Sequence, residues 1–554
     1  MTKHDGELTP GQQFDAKMAA YLRQLRQQTI TRRGLFRGAA GAAGAAVLTT
    51  GAAPFLPGLS VLAQDATSVT FALEGDVRGL EPALAYDFTA NPVACQISEG
   101  LMMFDEKGGI QPLLAESFEQ PDALTYVYKL KDGITFQDGT PVTIDDVVAS
   151  IARVRDPDVA GPLAWMYDNP KATVERTDDH TITIKLETAS SLFKFVPATT
   201  AGHVIPAAAI EKYGLDLLRN PIGTGPYKFV KWDAGSEIDL EKNSSYWWEE
   251  GMPYYDKITF KIVPEGTTRV TGLKNGDVNM MTNVPPDQID IVKGFADVEW
   301  HEVVGYTINY IAMRCDKPPL DDVKVRQAIV YATPLEDIMT NIVKSEGILS
   351  HNTSVPPDMP GSASAELQPI PYDLDKAKSL LAESSQPNGF KMQIHVVTPN
   401  DIWVPQAIAV QEALKALNID VEVKTYPYAD YITVLQSGDF EGGVLVQWGA
   451  DFPDALGNLL PLFDSRYFPP QSNASYYKND QVDQLLRAAD GEIDTEKRKQ
   501  LMIDAQKLIS ADQPHIWLEH YKWYWPMTKT ITGYDIRPLW YWDGWGRWIK
   551  PATA

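Results

Sequence analysis

Cysteine is almost missing from this chain, which has only Cys95 and Cys315 among its 554 residues. The two lie far apart in the sequence, and both have apolar neighbours. A chain of this length buries enough surface to fold without a covalent link, even in an oxidising compartment. We therefore predict two buried free thiols in preference to a disulfide.

The sequence also lacks the short motifs that carry catalysis or metal binding. It contains no Cys-x-x-Cys, His-Glu-x-x-His, Gly-x-Ser-x-Gly or phosphate-loop pattern, and its eight histidines are scattered singly. His515 and His520 are separated by an odd interval in a predicted strand, so they should not form a metal pair. We predict no catalytic residues, no metal ligands and no cofactor, and hence a protein that is not an enzyme.

Positive charge is scarce as well. The chain has 49 Lys and Arg against 73 Asp and Glu, which gives a formal net charge of −24. Such acidity disfavours nucleic acid or an anionic lipid surface as the partner, because both repel an acidic protein. It does not identify the ligand, since a strongly acidic surface is usually a solvated one.

The amino-terminal segment has the pattern of an export signal. Residues 31–37 read Thr-Arg-Arg-Gly-Leu-Phe-Arg, and a weakly hydrophobic Ala/Gly run follows at 38–48. This arrangement is typical of a twin-arginine signal, and Pro54 and Pro57 disfavour the alternative of an uncleaved membrane anchor. We predict a signal peptide over 1–63, a mature start at Gln64, and no lipid anchor, because no cysteine lies near the junction.

Three separated segments combine strand, turn and capping signals. In residues 122–150, Tyr126, Tyr128 and Leu130 alternate with polar residues, and Thr143 is a helix-capping residue followed by carboxylates. In residues 220–247, Gly223 and Gly225 predict a tight turn into a strand. The third segment, 318–332, reads PPLDDVKVRQAIVYA.

In this order, the three segments resemble those of extracytoplasmic solute-binding proteins that serve peptide ABC importers, the oligopeptide- and dipeptide-binding family (family 5). The resemblance runs from about residue 69 to the carboxyl terminus. It implies an α/β protein with the two-lobed periplasmic-binding-protein-like fold (class II) and an extra inserted domain. It also implies a monomer in the periplasm, or more generally outside the cytoplasm, that docks on membrane permease subunits.

Hydrophobic periodicity supports the α/β assignment independently of the resemblance. A strand is predicted at 391–397, an apolar helical stripe follows with Ala407, Val410, Leu414 and Leu417, and alternation resumes at 419–423. Strand, helix and strand over this length predict a βαβ unit and a parallel sheet. Further helices are predicted at 373–383 and 495–510.

The resemblance divides the chain into interleaved domains rather than consecutive ones. Lobe I is predicted to use residues 64–100, 220–305 and 511–554. The extra domain is predicted at 101–219, and lobe II at 306–510.

The segment 447–454, Gln-Trp-Gly-Ala-Asp-Phe-Pro-Asp, is the strongest candidate for a ligand site. It follows a predicted strand at 444–446, and ligands approach the backbone at such strand ends in open α/β sheets. The resemblance implies that Asp451, three residues after Trp448, anchors the α-ammonium group of a peptide. The alternative is that Asp451 caps a helix, although Asp454 is the better capping candidate.

Proteins of this family bind the peptide between the lobes as an added strand, and the resemblance therefore implies further ligand-binding residues. Gln447, Trp448 and Gly449 would border the peptide on one side. Tyr86, Asp87 and Phe88 would border it on another, and Tyr521 would contribute from the carboxyl-terminal crossing. The sequence departs from the usual family pattern around Asp87.

The carboxyl-terminal stretch is rich in aromatic residues, and two interpretations stay open for it. It could form a ligand wall, or it could be core, which is favoured because Trp523 and Trp525 alternate as on a sheet face. The aromatic residues of this stretch are Trp517, Tyr521, Trp523, Tyr524, Trp525, Trp540, Tyr541, Trp542, Trp545 and Trp548.

The predicted function is capture of oligopeptides or dipeptides and delivery to an ABC transporter permease. A first alternative keeps the fold but binds a non-peptide solute such as an opine, an oligosaccharide or a metal chelate. An exported hydrolase using Asp451 and Asp454, or a sensory receptor, would be further alternatives.

Overall fold

The computed structural model describes residues 67–249, 251–344, 347–398, 400, 402–539 and 544–552. The predicted signal peptide at 1–63 and the aromatic residues Trp540, Tyr541 and Trp542 lie outside these ranges. The strands of the described residues are β1 (Ser68–Leu73), β2 (Glu99–Gly100), β3 (Met102–Phe104), β4 (Ile110–Pro112), β5 (Ala115–Asp122), β6 (Thr125–Leu130), β7 (Ala172–Arg176), β8 (Thr181–Leu186), β9 (His203–Val204), β10 (Tyr227–Asp233), β11 (Glu237–Lys242), β12 (Lys257–Ile262), β13 (Met280–Met281), β14 (Val298–Met313), β15 (Gly347–Leu349), β16 (Lys391–Val397), β17 (Asp420–Tyr426), β18 (Gly443–Gly449), β19 (His515–Thr528), β20 (Ile531–Thr532) and β21 (Lys550–Pro551).

Helices of different lengths cover the strands. The α-helices of the described residues are α1 (Asn91–Ile97), α2 (Ile144–Val154), α3 (Trp165–Asp168), α4 (Ala207–Tyr213), α5 (Gly266–Asn275), α6 (Ile289–Lys293), α7 (Val323–Ala332), α8 (Leu335–Ile338), α9 (Leu374–Ala382), α10 (Trp403–Leu414), α11 (Tyr428–Ser437), α12 (Leu456–Phe463), α13 (Asp480–Gly491) and α14 (Thr495–Asp512). No helix of the described residues is long and apolar enough to cross a membrane.

One large sheet organises both halves of the molecule. Its strand order is β10-β11-β12-β1-β13-β19-β14-β18-β16-β17, with β15 paired to β19. The long antiparallel strands β14 and β19 lie at its centre and join the two ends. Their register shifts between Val304 and Ile308, which interrupts the ladder where the two halves meet.

The predicted βαβ unit is confirmed. β16 and β17 pair in parallel register from Lys391↔Asp420 to Val397↔Tyr426, and α10 lies between them in the sequence. Ala407, Val410 and Leu414 are fully buried, as the helical stripe requires. The predicted helices at 373–383 and 495–510 are observed as α9 and α14, and the Asp373 side chain caps α9 by accepting a hydrogen bond from the Lys376 amide.

Part of the segment 101–219 forms a separate antiparallel sheet in the order β5-β6-β8-β7. Tyr126, Tyr128 and Leu130 are buried on one face of β6, as their alternation predicts. Thr143 begins α2 with a reciprocal capping box, in which Thr143 and Asp146 each accept from the other's backbone amide.

Gly223 and Gly225 are required for a reason other than the predicted tight turn. Neither has a positive φ, but a Cβ at Gly223 would lie 2.6 Å from the Ile97 carbonyl oxygen. A Cβ at Gly225 would lie 2.5 Å from the Gln96 carbonyl oxygen. Close backbone approach to the end of α1 therefore excludes a side chain at both positions.

The aromatic carboxyl-terminal stretch is mainly core. Trp517, Trp525 and Trp545 are among the largest fully buried side chains. Trp523 differs from them, because it also borders a cavity between the halves of the sheet. The prediction of free cysteines is confirmed for both Cys95 and Cys315.

Candidate functional site

A cavity of about 730 Å³ lies where the two halves of the large sheet meet, and we call it the cleft. This volume is within the range typical of pockets for small ligands. Glu74, Phe88, Thr282 and Asn283 line it from the β1–β13 end of the sheet. Glu74 is the first residue after β1, and Thr282 is the first residue after β13. These two strands are parallel neighbours, so both residues lie at the carboxyl-terminal edge of the sheet.

The opposite wall of the cleft is aromatic. Trp403 opens α10, Tyr428 opens α11, and Tyr431 follows one turn later on α11. Tyr428 is 68% exposed, although large aromatic side chains are usually well buried. The wall therefore offers apolar surface that a bound molecule could cover.

Asp451 is buried, at 8% exposure, and has no cationic partner within 4.0 Å among the described residues. Its Oδ1 accepts a hydrogen bond from the Tyr86 hydroxyl at 3.0 Å. Burial raises the pKa of Asp451 to about 6, and the hydrogen bond from Tyr86 partly opposes that rise. Tyr86 and Asp451 come from the two halves of the chain, so this bond joins them. Asp451 does not itself line the cleft.

The three residues before the Ala450–Asp451 pair belong to β18 and differ in their surroundings. Gln447 lines the cleft and lies opposite Asn309 of β14. The Trp448 indole nitrogen donates to the Gly457 carbonyl at 3.1 Å, which fixes its ring over the start of α12. Gly449 ends β18 opposite Thr307.

Of the other predicted ligand-binding residues, Phe88 and Tyr521 lie at the cleft, whereas the Asp87 side chain does not line it. Phe88 and Tyr521 line the cleft, and both rings lie 5.3 Å from that of Trp523. The Asp87 carboxylate instead accepts hydrogen bonds from the Thr89 and Ala90 amides and the Thr89 hydroxyl. It therefore holds its own loop.

Glu519 is a buried acid that the sequence analysis missed. It is 1% exposed on β19, and it accepts from Asn309 Nδ2 at 2.6 Å and from Gln406 Nε2 at 2.7 Å. Burial raises the pKa of Glu519 to about 7, against the lowering effect of these two amides. Because Asn309 lines the cleft, Glu519 lies one side chain behind its floor.

Asp454 does not share the surroundings of Asp451. Arg498 holds it in a bidentate ion pair at 2.6 and 2.7 Å, and both side chains are buried. Asp454 Oδ1 also accepts from the Leu456 amide, but the N-cap residue of α12 is Ala455, so the prediction that Asp454 caps this helix is wrong. The two aspartates thus have separate structural partners and do not face each other as a carboxylate pair.

Comparison with known proteins gives consistent matches over most of the chain. The family description "Bacterial extracellular solute-binding proteins, family 5 Middle" matches residues 109–469. The glutathione-binding protein GsiB of Escherichia coli K12 is 31% identical over 480 residues, which cover 85% of this chain and 93% of GsiB.

Solved structures confirm the predicted two-lobed fold. The periplasmic binding protein DppA of Helicobacter pylori, solved with the peptide STSA, superposes with a TM-score of 0.74 at 25% identity, covering 88% of this chain and 98% of DppA. HbpA2 of Haemophilus parasuis superposes with a TM-score of 0.79 at 25% identity, covering 88% of this chain and all of HbpA2.

Proposed function

This chain belongs to the bacterial extracellular solute-binding proteins of family 5, as the sequence resemblance predicted, and we propose that its ligands are short peptides. Proteins of this family are extracytoplasmic and act as solute-binding components of ABC importers. The relatives are binding proteins rather than enzymes. In this proposal the peptide extends from the cleft, at Gln447, to the Tyr86–Asp451 pair just beyond the end of β18, and the chain delivers it to membrane permease subunits.

Asp451 is the observation that carries the proposal. A buried carboxylate with only a tyrosine hydroxyl as its partner is costly to ionise, and a cation arriving with the ligand would remove that cost. The α-ammonium group of a peptide is such a cation. Asp451 therefore selects a ligand with a free amino terminus.

The remaining predicted site residues fit supporting roles. Gln447 and Gly449 would offer backbone groups to the peptide main chain, and Trp448 would pack beside its amino terminus. Phe88 and Tyr521 would contact ligand side chains, with Tyr86 holding Asp451. Asp87 would take part only through its backbone, because its carboxylate serves its own loop.

Closure of the two lobes over the ligand is expected to act by population shift. The ligand favours the closed state only by its higher affinity for that state. The bond from Tyr86 to Asp451 and the register shift in β14 supply a contact between the halves and an interrupted ladder at their junction. We propose the lobe limits predicted from the sequence, namely 64–100, 220–305 and 511–554 for lobe I and 306–510 for lobe II, with 101–219 as the extra domain.

We further propose that the chain is exported by the twin-arginine route, loses residues 1–63, and functions as a monomer without a lipid anchor. The paired arginines at 32 and 33 support the export route, and the lack of a cysteine near residue 63 supports the absence of a lipid anchor.

Calorimetric titration with paired peptides tests the peptide proposal. Each peptide would be used with a free and with an acetylated amino terminus, at pH 7.5. Free peptides should bind, and acetylation should weaken binding by at least 100-fold. Equal binding of the two forms would remove Asp451 as the anchor, and tight binding of only a non-peptide solute would favour an opine, oligosaccharide or chelate as ligand.

A further inference from the structure

The charge of the cleft is one-sided. Among its described lining residues Glu74 is the only acid, and there is no Lys, Arg or His. The residues after position 66 that lie outside the described ranges also include no Lys, Arg or His in the sequence. A ligand carboxylate in this cleft would therefore meet no basic side chain, whereas a ligand cation would meet a carboxylate.

Glu74 has no ion-pair partner within 4.0 Å among the described residues, and its hydrogen-bond donor is the neutral amide of Asn283. The basic group nearby, Arg269, is buried at 4% exposure and donates to the carbonyl oxygens of Val263, Pro264 and Asn283 instead. Arg269 attracts Glu74 through space but makes no direct ion pair with it, so the Glu74 carboxylate can still accept a hydrogen bond from a molecule in the cleft.

Aromatic rings surround the same end of the cavity. Phe88, which is 43% exposed, lies 5.3 Å from Trp523, and Trp523 lies 5.3 Å from Tyr521, centroid to centroid. Aromatic faces attract Lys and Arg side chains, and most strongly when water is excluded. A basic side chain next to Glu74 could satisfy both kinds of group at once.

We propose that this cleft selects peptides with a basic side chain, placed between Glu74 and the ring cluster of Phe88, Tyr521 and Trp523, and discriminates against acidic peptides. This inference rests on the proposed function, because it names the subclass of peptide for the same site. It separates the chain from its glutathione-binding relatives, since glutathione carries two carboxylates and one ammonium group.

The opposite wall sets a second preference. Trp403, Tyr428 and Tyr431 present aromatic surface without any charged lining residue beside them. A bulky apolar side chain buried there would be removed from water, which favours binding. The preferred ligand thus combines one basic and one bulky apolar side chain.

Calorimetric titration of ligand-free protein with a tripeptide series tests the charge preference. Lys, Met or Glu would be placed in turn at each position, and glutathione would be included. The best Lys peptide should bind at least tenfold tighter than its Glu counterpart and than glutathione, with a preference that shrinks as salt is raised.

The variant Glu74→Gln should reduce the Lys-over-Glu ratio at least fivefold while leaving the Met peptide within twofold. Glu211→Gln is the matched control, because it removes the same charge from the exposed face of α4, outside the cleft. Phe88→Leu provides a second variant that keeps apolar surface but should lower Lys-peptide affinity severalfold. Thermal melts would verify that each variant is folded.

The possible results distinguish the proposed preference for basic peptides from the proposed function, which is peptide binding itself. Peptide binding in which Glu peptides or glutathione match the Lys peptides would overturn the charge preference and leave the peptide-binding proposal in place. An unchanged Lys-over-Glu ratio in Glu74→Gln would overturn the role of Glu74. Failure of every peptide in the series to bind would contradict the proposed function itself.

Discussion

Buried carboxylates in the scaffold and in the cleft region have different kinds of partner. In the scaffold, each of three buried acids is paired with arginine: Glu81 with Arg153, Asp454 with Arg498, and Asp464 with Arg466 and Arg487. Around the cleft, the donors to the two buried acids are neutral: a tyrosine hydroxyl for Asp451 and two amides for Glu519. Glu74, which is only half-buried, also accepts from a neutral amide.

This difference is consistent with the proposed binding role of Asp451. It is not a general rule, because Asp146, a scaffold acid as buried as Asp451, is held by a hydroxyl and two backbone amides. A buried carboxylate loses its hydration, and only a well-placed cation compensates that loss fully. The acids paired with arginine have that cation in the ligand-free protein. The acids of the cleft region are partly compensated, which lowers stability but preserves their affinity for a positive group brought by the ligand.

Removing a scaffold cation should give the largest effect on stability. Arg498→Met leaves the buried Asp454 without its ion-pair partner, so the free energy of unfolding should fall by about 3–5 kcal/mol. Urea denaturation measures this change. Arg176→Met, which removes an exposed arginine paired with Asp145 and Asp179, should change stability far less, because water screens the pair, and is the control. Equal losses of unfolding free energy in the two variants would show that the buried ion pair is not more important for stability than the exposed one.

Asp451→Asn should separate binding from folding. The variant leaves a ligand ammonium without its counter-charge, so peptide affinity should fall by about 2–3 kcal/mol, or at least 30-fold. Its free energy of unfolding should stay the same or rise, because an unfavourable buried acid is removed.

Asp454→Asn is the matched control for that experiment. It should lose stability, because Arg498 then remains buried without a carboxylate. Similar stability changes in Asp451→Asn and Asp454→Asn would show that the two aspartates are not distinguished as described.

Glu519 should make the ligand-free protein less stable at high pH. Its pKa is about 7 in the folded state, above the ordinary value of 4.5 for a glutamate, so the folded protein binds more protons than the unfolded chain between these pH values. The cost is absent below pH 4.5, grows as pH rises through 7, and reaches at most about 3 kcal/mol. Glu519→Gln should therefore raise stability at pH 8 but have little effect at pH 4.5. A gain independent of pH would contradict this assignment.

Peptide affinity should depend on pH through Asp451, which is the smallest of the expected effects near neutrality. Its pKa of about 6 in the ligand-free protein must fall when an ammonium group binds, so affinity should be constant above that value. Below pH 6 it should decrease by up to tenfold per pH unit. Titrations from pH 5 to 8 measure this slope, and Asp451→Asn should flatten it. A slope that persists in the variant would assign the pH dependence to another group.

The elements predicted well from the sequence are those determined by local chemistry. Alternation and helical spacing predicted β16, α10 and β17, and the side chains of Thr143 and Asp373 predicted the starts of α2 and α9. The strand β18 was also predicted, whereas the ligand-binding role of the residues after it stays a prediction, since the same pattern also fits a helix cap.

The cleft itself was less accessible to sequence reasoning, because distant segments build it. Trp403 and Tyr431 are compatible with the apolar faces of amphipathic helices, and nothing local indicates that they border a cavity. Glu519 interrupts an apolar strand, and the amides of Asn309 and Gln406 that satisfy it come from more than a hundred residues away. An acid within such a strand is the signal that could have identified it.

Native mass spectrometry of the mature protein, purified without denaturant, tests the central claim most directly. Any bound molecule would be weighed in the complex, then released and sequenced. The account predicts a family of short peptides with free amino termini, enriched in basic and bulky apolar residues. A single non-peptide mass would contradict it. That result would show that the acids around the cleft bind a ligand other than a peptide with a free ammonium group.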